Sequence, residues 1–361
     1  MLKSLLKIDW LILLPALLLV SLSLLMIFST SVSQTGTDWS YFTRQLIYAL
    51  IGLGVFFFFA LSDYRVFVRY SFFLYLFLLV LLLVTYLIGV ETRGSVRWID
   101  LKFVTIQASE FAKPIMILFL SYLFTRYPPQ RLRYFLISLF VVLLPLALIF
   151  NQPDLGSAAI LGFIWFALVF VSGANFFFIF TVILLPLISF PLVWQFLKDY
   201  QKSRLESFLN PTSDPLGRGY NLVQAIIAVG SGQLFGRGLG RGTQSHLNFL
   251  PEQKTDFIFA TMAEELGFLG VLLLLGLFAF LIHRLLSSLT HLHQTEGSLI
   301  IVGVVVTLMT QLFINVGMNL GLLPITGITL PLVSFGGSSL VSVFAMLGLV
   351  ESVLVVSRQQ R

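Results

Sequence analysis

Ten apolar runs, near residues 10–30, 43–61, 70–90, 109–125, 134–150, 156–172, 175–197, 257–282, 297–321 and 332–356, constrain this chain more than any other feature. Crossing a hydrocarbon core of about 30 Å takes about 20 helical residues, and the runs reach or approach that length. Alternating strands of about ten residues, which a membrane β-barrel needs, do not occur. The expected fold is therefore an all-α integral membrane protein of about ten transmembrane helices, a single polytopic domain over residues 1–361. Composition agrees, since only 11% of the residues are charged against roughly 25% in a soluble domain. The first run, 11–28, is too long for a signal-peptide core and is read as a retained span. With no cysteine, disulfides, thiol catalysis and thiolate metal sites are excluded. The net charge of +6 comes from basic residues scattered between spans, which argues for topology signals and against nucleic acid.

Orientation follows from Lys and Arg in the short loops. With the N-terminus cytoplasmic, ten basic residues fall inside (Lys3, Lys7, Arg65, Arg69, Arg126, Arg131, Arg133, Arg284, Arg358, Arg361) and four outside (Arg44, Arg93, Arg97, Lys102). Ten spans then place both termini in the cytoplasm. The long segment of about 198–256, between spans seven and eight, becomes a large extracytoplasmic loop.

Several stretches carry more polarity than a lipid-facing chain needs. In 241–267 a loop with His246, Glu252, Lys254 and Asp256 runs into an apolar helix that takes Glu264 and Glu265 with it. A charge at membrane depth costs roughly 2.5–3.5 kcal/mol on insertion scales and marks a functional candidate. Counted along that helix, Glu264 and Glu265 fall roughly 12–14 Å deeper than Asp256, so they are expected to organise packing. In 92–114, Gly94 offers a turn, and Glu110 and Lys113 stand one helical turn apart on one face; a snorkelling structural pair is the plain alternative. Asp154 lies in a tight turn, NQPDLGS, where helix capping and a functional role are equally open. The glycine-rich stretch GSGQLFGRGLGRG lacks the Lys-Ser/Thr of a nucleotide loop. Its amides with Arg237 and Arg241 can cradle a pyrophosphate, or the stretch is a flexible loop; residues 222–229 before it suit a short interfacial helix. Residues 319–339 hold Pro324, Gly327, Pro331, Gly336 and Gly337, which break any helix. Broken backbone at membrane depth needs cover from protein or a cavity, so this segment is expected to line the same outer cavity.

The blocks GSVRWIDL, IQASEFAKP, QPDLGS, GYNLVQAIIAVGSGQLFGRGLGRGTQ, FLPEQKTDFIFATMAEELGFLG and NLGLLPITGITLPLVSFGGSSL, in this order, resemble the SEDS family, the shape, elongation, division and sporulation proteins of bacteria. NFLPEQKTDFIFA with LLPITG resembles the rod-shape elongation branch more than the division branch. One departure is Ala108, where the family usually has Pro; Glu110 and Lys113 are kept.

The resemblance implies a peptidoglycan glycosyltransferase that polymerises lipid II into β-1,4 glycan on the outer face of the cytoplasmic membrane, with undecaprenyl pyrophosphate as leaving group. It implies Asp256 as the catalytic carboxylate, a role that suits a group able to take a hydroxyl proton; the plain alternative is an N-cap with Thr255. Lys113, Glu110, Arg97, Asp154, Arg218 and Arg241 are the expected substrate-binding set. A divalent cation, magnesium or manganese, on oxygens such as Glu110 or Asp154 is left open, with no organic cofactor. The expected partners are lipid II, the growing lipid-linked glycan, the bilayer and a class B penicillin-binding protein. A flippase of the same precursor shares ten spans and broken helices, but polar groups gather on one side and no inverted repeat is evident. A scaffold that only activates the penicillin-binding protein would leave Asp256 dispensable.

Overall fold

The computed structural model describes residues 8–33, 36–37, 39–92, 95–100, 105–196, 202, 208, 219–247, 249–292 and 295–360. Gly94, Arg218 and nearly all of the long loop up to residue 218 lie outside the described residues. The first apolar run forms α1 (Trp10–Ser31), followed by a two-residue hairpin of β1 (Val32–Ser33) and β2 (Gly36–Thr37). Helices α2 (Ser40–Leu61), α3 (Tyr64–Arg69) and α4 (Ser71–Ile88) lead into an antiparallel sheet of β3 (Val90–Thr92), β4 (Ser95–Asp100) and β5 (Thr105–Gln107). Then come α5 (Ala108–Arg126), α6 (Leu132–Asn151), α7 (Leu155–Val171), α8 (Phe176–Phe196), α9 (Tyr220–Ser231), α10 (Thr243–His246), α11 (Ile258–Ser288), α12 (Thr295–Asn319) and α13 (Gly337–Gln360).

The ten expected spans correspond to α1, α2, α4, α5, α6, α7, α8, α11, α12 and α13. Among the described residues, eight helices of 18 or more residues are long and apolar enough to cross a membrane; α7 has 17 residues and α8 has 21. Helices dominate because a lipid-embedded backbone must bond within its own segment. The last span starts at Gly337 rather than near 332, because residues 331–336 bond back to the loop before α11. The short interfacial helix expected at 222–229 is α9.

Two helices form the middle of the bundle. α13 and α5 are buried along most of their length, whereas α2, α4 and α6 keep broad apolar faces exposed. α2 crosses α13 closely: a Cβ at Gly348 would lie 2.6 Å from the Phe56 carbonyl, and one at Gly52 would strike the Phe344 ring. Small residues at such crossings let membrane helices gain packing contacts where no hydrophobic drive operates. One end of the bundle is tied by charge. Asp9 accepts from Arg284 at the end of α11 and from Arg358 of α13 (2.8 Å), and its amide donates to Glu351 Oε1 at 2.7 Å. Burial pushes the Asp9 carboxyl up, but the two guanidinium groups outweigh it and hold it below the usual 3.8.

α11 is broken. Gly267 has φ 68° and ψ −165°, outside helical space, and the glycine-rich segment after α9 fills the gap. Arg237 N donates to Glu264 O (2.9 Å), Gly238 N to Glu265 O (3.0 Å), Phe268 N to Gln233 O (2.8 Å) and Leu269 N to Leu234 O (3.2 Å). The groups orphaned by the break thus find partners in the loop, as buried backbone requires. A Cβ at Gly232 or Gly236 would collide with the backbone of Ala263 or Glu265. The glycines are there for that approach. Because their amides are already bonded, these N–H groups do not form the pyrophosphate cradle that the sequence allowed.

Candidate active site

The acidic residues of 241–267 separate into two environments. Glu264 is fully buried, and its carboxylate accepts from Gln244 N (2.8 Å), Ser245 N (3.1 Å), Ser245 Oγ (2.9 Å) and Thr243 Oγ1 (3.3 Å), holding the N-terminal turn of α10. Glu265 accepts from Ser29 Oγ of α1 at 2.6 Å and pairs with His246 Nε2 at 2.7 Å. Ser29 Oγ also receives Gly240 N at 2.9 Å. Both carboxylates are spent on fixing the glycine-rich loop, in line with the packing role expected of them.

Asp256 is placed differently. The N-cap of α11 is Phe257, with no side-chain cap. Thr255 Oγ1 instead bonds Glu252 Oε2 at 2.8 Å. Three successive carbonyls of this loop are bound by residues from 315–335. Phe335 N donates to Lys254 O (2.8 Å), Ser334 Oγ to Thr255 O (2.6 Å), and the Asn315 and Asn319 amides to Asp256 O (3.1 and 3.0 Å). Lys254 Nζ sits 4.2 Å over the Tyr41 ring. The broken segment 320–336 therefore packs on the Asp256 loop.

Gln45 Nε2 donates to Ser23 Oγ (3.1 Å) and Ser334 O (3.3 Å), and Ser334 in turn holds Thr255, so the Asp256 loop is linked to α1 and α2.

Gly327, with φ 76°, lies between Asp256 and Arg97: a Cβ there would be 3.6 Å from Asp256 Oδ2 and 3.7 Å from Arg97 Nη1. The carboxylate and the guanidinium flank one glycine, which leaves open the space that any side chain would fill. Arg97 projects from β4, and its guanidinium donates to Gln152 O (3.4 Å) and to Pro153 O. These are the carbonyls just before Asp154. Asp154 is buried and is the N-cap of α7, accepting from Ser157 N at 3.1 Å. Its second oxygen accepts from Ser109 Oγ (3.0 Å) and Gln107 Nε2 (3.2 Å) at the start of α5. One residue on, Glu110 pairs with Lys113 at 2.7 Å, both buried, with Ser342 Oγ of α13 on the Glu110 carbonyl at 2.8 Å.

Of the expected set, Arg97, Asp154 and Asp256 are thus linked around Gly327, and Glu110 with Lys113 adjoins them through Ser109. Arg241 is exposed on the glycine-rich loop, and Arg218 lies outside the described residues. Among the described residues no group of three or more His, Cys, Asp and Glu side chains is placed to hold a metal. Glu110 gives Oε1 to the Lys113 ammonium while its Oε2 is buried with no hydrogen-bond partner, and Asp154 accepts from three protein donors. Asn315 and Asn319 were not foreseen. Their signal is two asparagines at i and i+4 in an otherwise apolar run, just before the segment that cannot be helical.

The geometry has counterparts among known proteins. A family model described as cell cycle protein, covering FtsW, RodA and SpoVE, matches residues 9–359. The peptidoglycan glycosyltransferase MrdB of Escherichia coli strain K12 is 38% identical over 343 residues, covering 94% of this chain and 92% of its own. A chain from a solved structure titled for the coordination of polymerization and crosslinking by a peptidoglycan synthase complex superposes with TM-score 0.84, at 30% identity over 98% of both chains. The rod shape determining protein RodA of Thermus thermophilus gives TM-score 0.72 at 28% identity, over 98% of this chain and 97% of its own.

Proposed function

The chain belongs to the FtsW, RodA and SpoVE family of cell cycle proteins, and from that premise we propose that it is a peptidoglycan glycosyltransferase of the rod-shape elongation kind. It polymerises lipid II into β-1,4 glycan at the outer face of the bacterial cytoplasmic membrane, with both termini in the cytoplasm. The 4-hydroxyl of the acceptor sugar attacks the anomeric carbon of the lipid-linked donor. The new C–O bond forms as the bond to the pyrophosphate oxygen breaks, undecaprenyl pyrophosphate leaves, and the hydroxyl proton passes to Asp256.

The observation that carries this reading is Asp256 and Arg97 both lying against Gly327, with the carbonyls of Lys254, Thr255 and Asp256 pinned. A base is useful when held at a fixed place beside a cation that can offset leaving-group charge. Arg97 is the cation at that place. The buried Lys113, paired with Glu110 at 2.7 Å, adjoins this place through Ser109, and Asp154 orients the turn whose carbonyls hold Arg97. Arg241, exposed on the glycine-rich loop, and Arg218, which lies outside the described residues, complete the substrate-binding set. A class B penicillin-binding protein is the expected partner, since a similar chain is titled as part of a synthase complex that couples polymerization to crosslinking.

The test uses purified protein with that partner and labelled lipid II in detergent, where no second leaflet exists. Glycan polymer is the expected product. No polymer in detergent, with translocation of the precursor in liposomes, would replace this reading with a flippase.

A further inference from the structure

We propose that Asn315 and Asn319 are positioning residues for Asp256, forming an amide clamp within α12 that sets where its carboxylate points; the inference rests on the function proposed above. Both side chains are fully buried. Asn315 Nδ2 donates to Asp256 O (3.1 Å) and to Ile328 O (2.7 Å), so one amide joins the loop before α11 to the residue after Gly327. Asn319 Nδ2 donates to Asp256 O (3.0 Å) and to Asn315 O (2.8 Å), while its Oδ1 accepts from Ala260 N at 3.2 Å in the first turn of α11.

The side-chain type follows from this geometry. The Asp256 carbonyl precedes the helix and needs a donor where protein surrounds it. A carboxamide supplies two donors and an acceptor from one planar group; serine or threonine has one donor, and aspartate has none and would face a carbonyl. Because the same clamp grips Ile328 O, it fixes the distance between the Asp256 loop and Gly327, the gap that Arg97 faces. Neither asparagine is placed to touch substrate. They act through Asp256.

The test pairs kinetics with exchange, on the full chain with its partner. Asn315→Leu, close in shape but without donors, and Asn319→Asp, which keeps the acceptor for Ala260 N, are each compared with wild type. A displacement of about 1 Å can cost 10²-fold in rate, so kcat for glycan formation is expected to fall about 10- to 100-fold with KM within about twofold. In an Asp256→Glu background the same substitutions should cost much less, since residues acting as a unit are non-additive. Hydrogen–deuterium exchange of residues 250–257 should quicken in both variants while α13 keeps its protection. Equal rate losses in the two backgrounds, or unchanged exchange at 250–257, overturn the clamp. Absence of polymer from wild type with quickened exchange in the variants would instead remove the proposed activity and leave the positioning intact.

Discussion

Asp256 and the pair Glu264 and Glu265 stand within ten residues of one another, yet their surroundings differ. The bonds to the two glutamate carboxylates come from residues 243–246 and from Ser29 of α1, which the carboxylates immobilise. At Asp256 it is the backbone that is immobilised, and the carboxylate is turned to Gly327 and Arg97. What a carboxylate does in this fold therefore follows from what surrounds it, not from how deep it falls in an apolar run. The glutamates spare their loop several orphaned donors; the aspartate is kept in place by its neighbours.

That contrast breaks most readily at Glu264. Glu264→Ala strands the Gln244 and Ser245 amides and the Ser245 hydroxyl, and at about 1–3 kcal/mol for each buried orphan it should cost at least about 3 kcal/mol. Thermal unfolding in detergent reads this. An unchanged melting temperature with lost polymerisation would move Glu264 into the chemistry beside Asp256. The loop it holds gives a finer test. Gly236→Ala drives a Cβ into the Glu265 carbonyl at φ 76°, so about 2–3 kcal/mol is expected from overpacking and the left-handed conformation together. Gly240 has φ 74° with nothing within 4 Å, and its alanine variant should lose only the conformational part, about 1 kcal/mol. Equal losses would mean that the loop does not press on the α11 break.

Asp9 supplies the smallest effect and a pH signature. Its carboxyl is held below 3.8 by Arg284 and Arg358, so the ionised form is favoured in the folded state. The stabilisation is complete above 3.8 and is lost as pH falls from there through the lower folded value. The difference in melting temperature between wild type and Asp9→Asn should stay level from pH 7 to pH 5 and shrink below 3.8. A gap that widens on acidification would contradict the ion-pair account.

Much of the fold was legible because a span announces itself: about twenty apolar residues leave few alternatives. The edges that moved did so for tertiary reasons, as where 331–336 gave up helix to bond Lys254 and Thr255. The break at Gly267 was not legible, since one glycine in an apolar helix looks the same whether or not a loop from thirty residues upstream fills a gap there. Arg97, Asp154 and Asp256 were legible as polar residues at span ends and through their motifs. Their meeting at Gly327 depends on Gln152 and Pro153 carbonyls and a three-stranded sheet too short to show in the pattern. The asparagine clamp escaped because an uncharged amide lacks the insertion cost that drew attention to carboxylates.

The central claim is that the Asp256 carboxylate accepts the acceptor-sugar proton, and Asp256→Asn, which keeps shape and removes charge, tests it most directly. With the partner present and labelled lipid II in detergent, the account predicts loss of glycan polymer by about 100-fold or more with a melting temperature unchanged from wild type. Polymer formed at the wild-type rate by Asp256→Asn would contradict it.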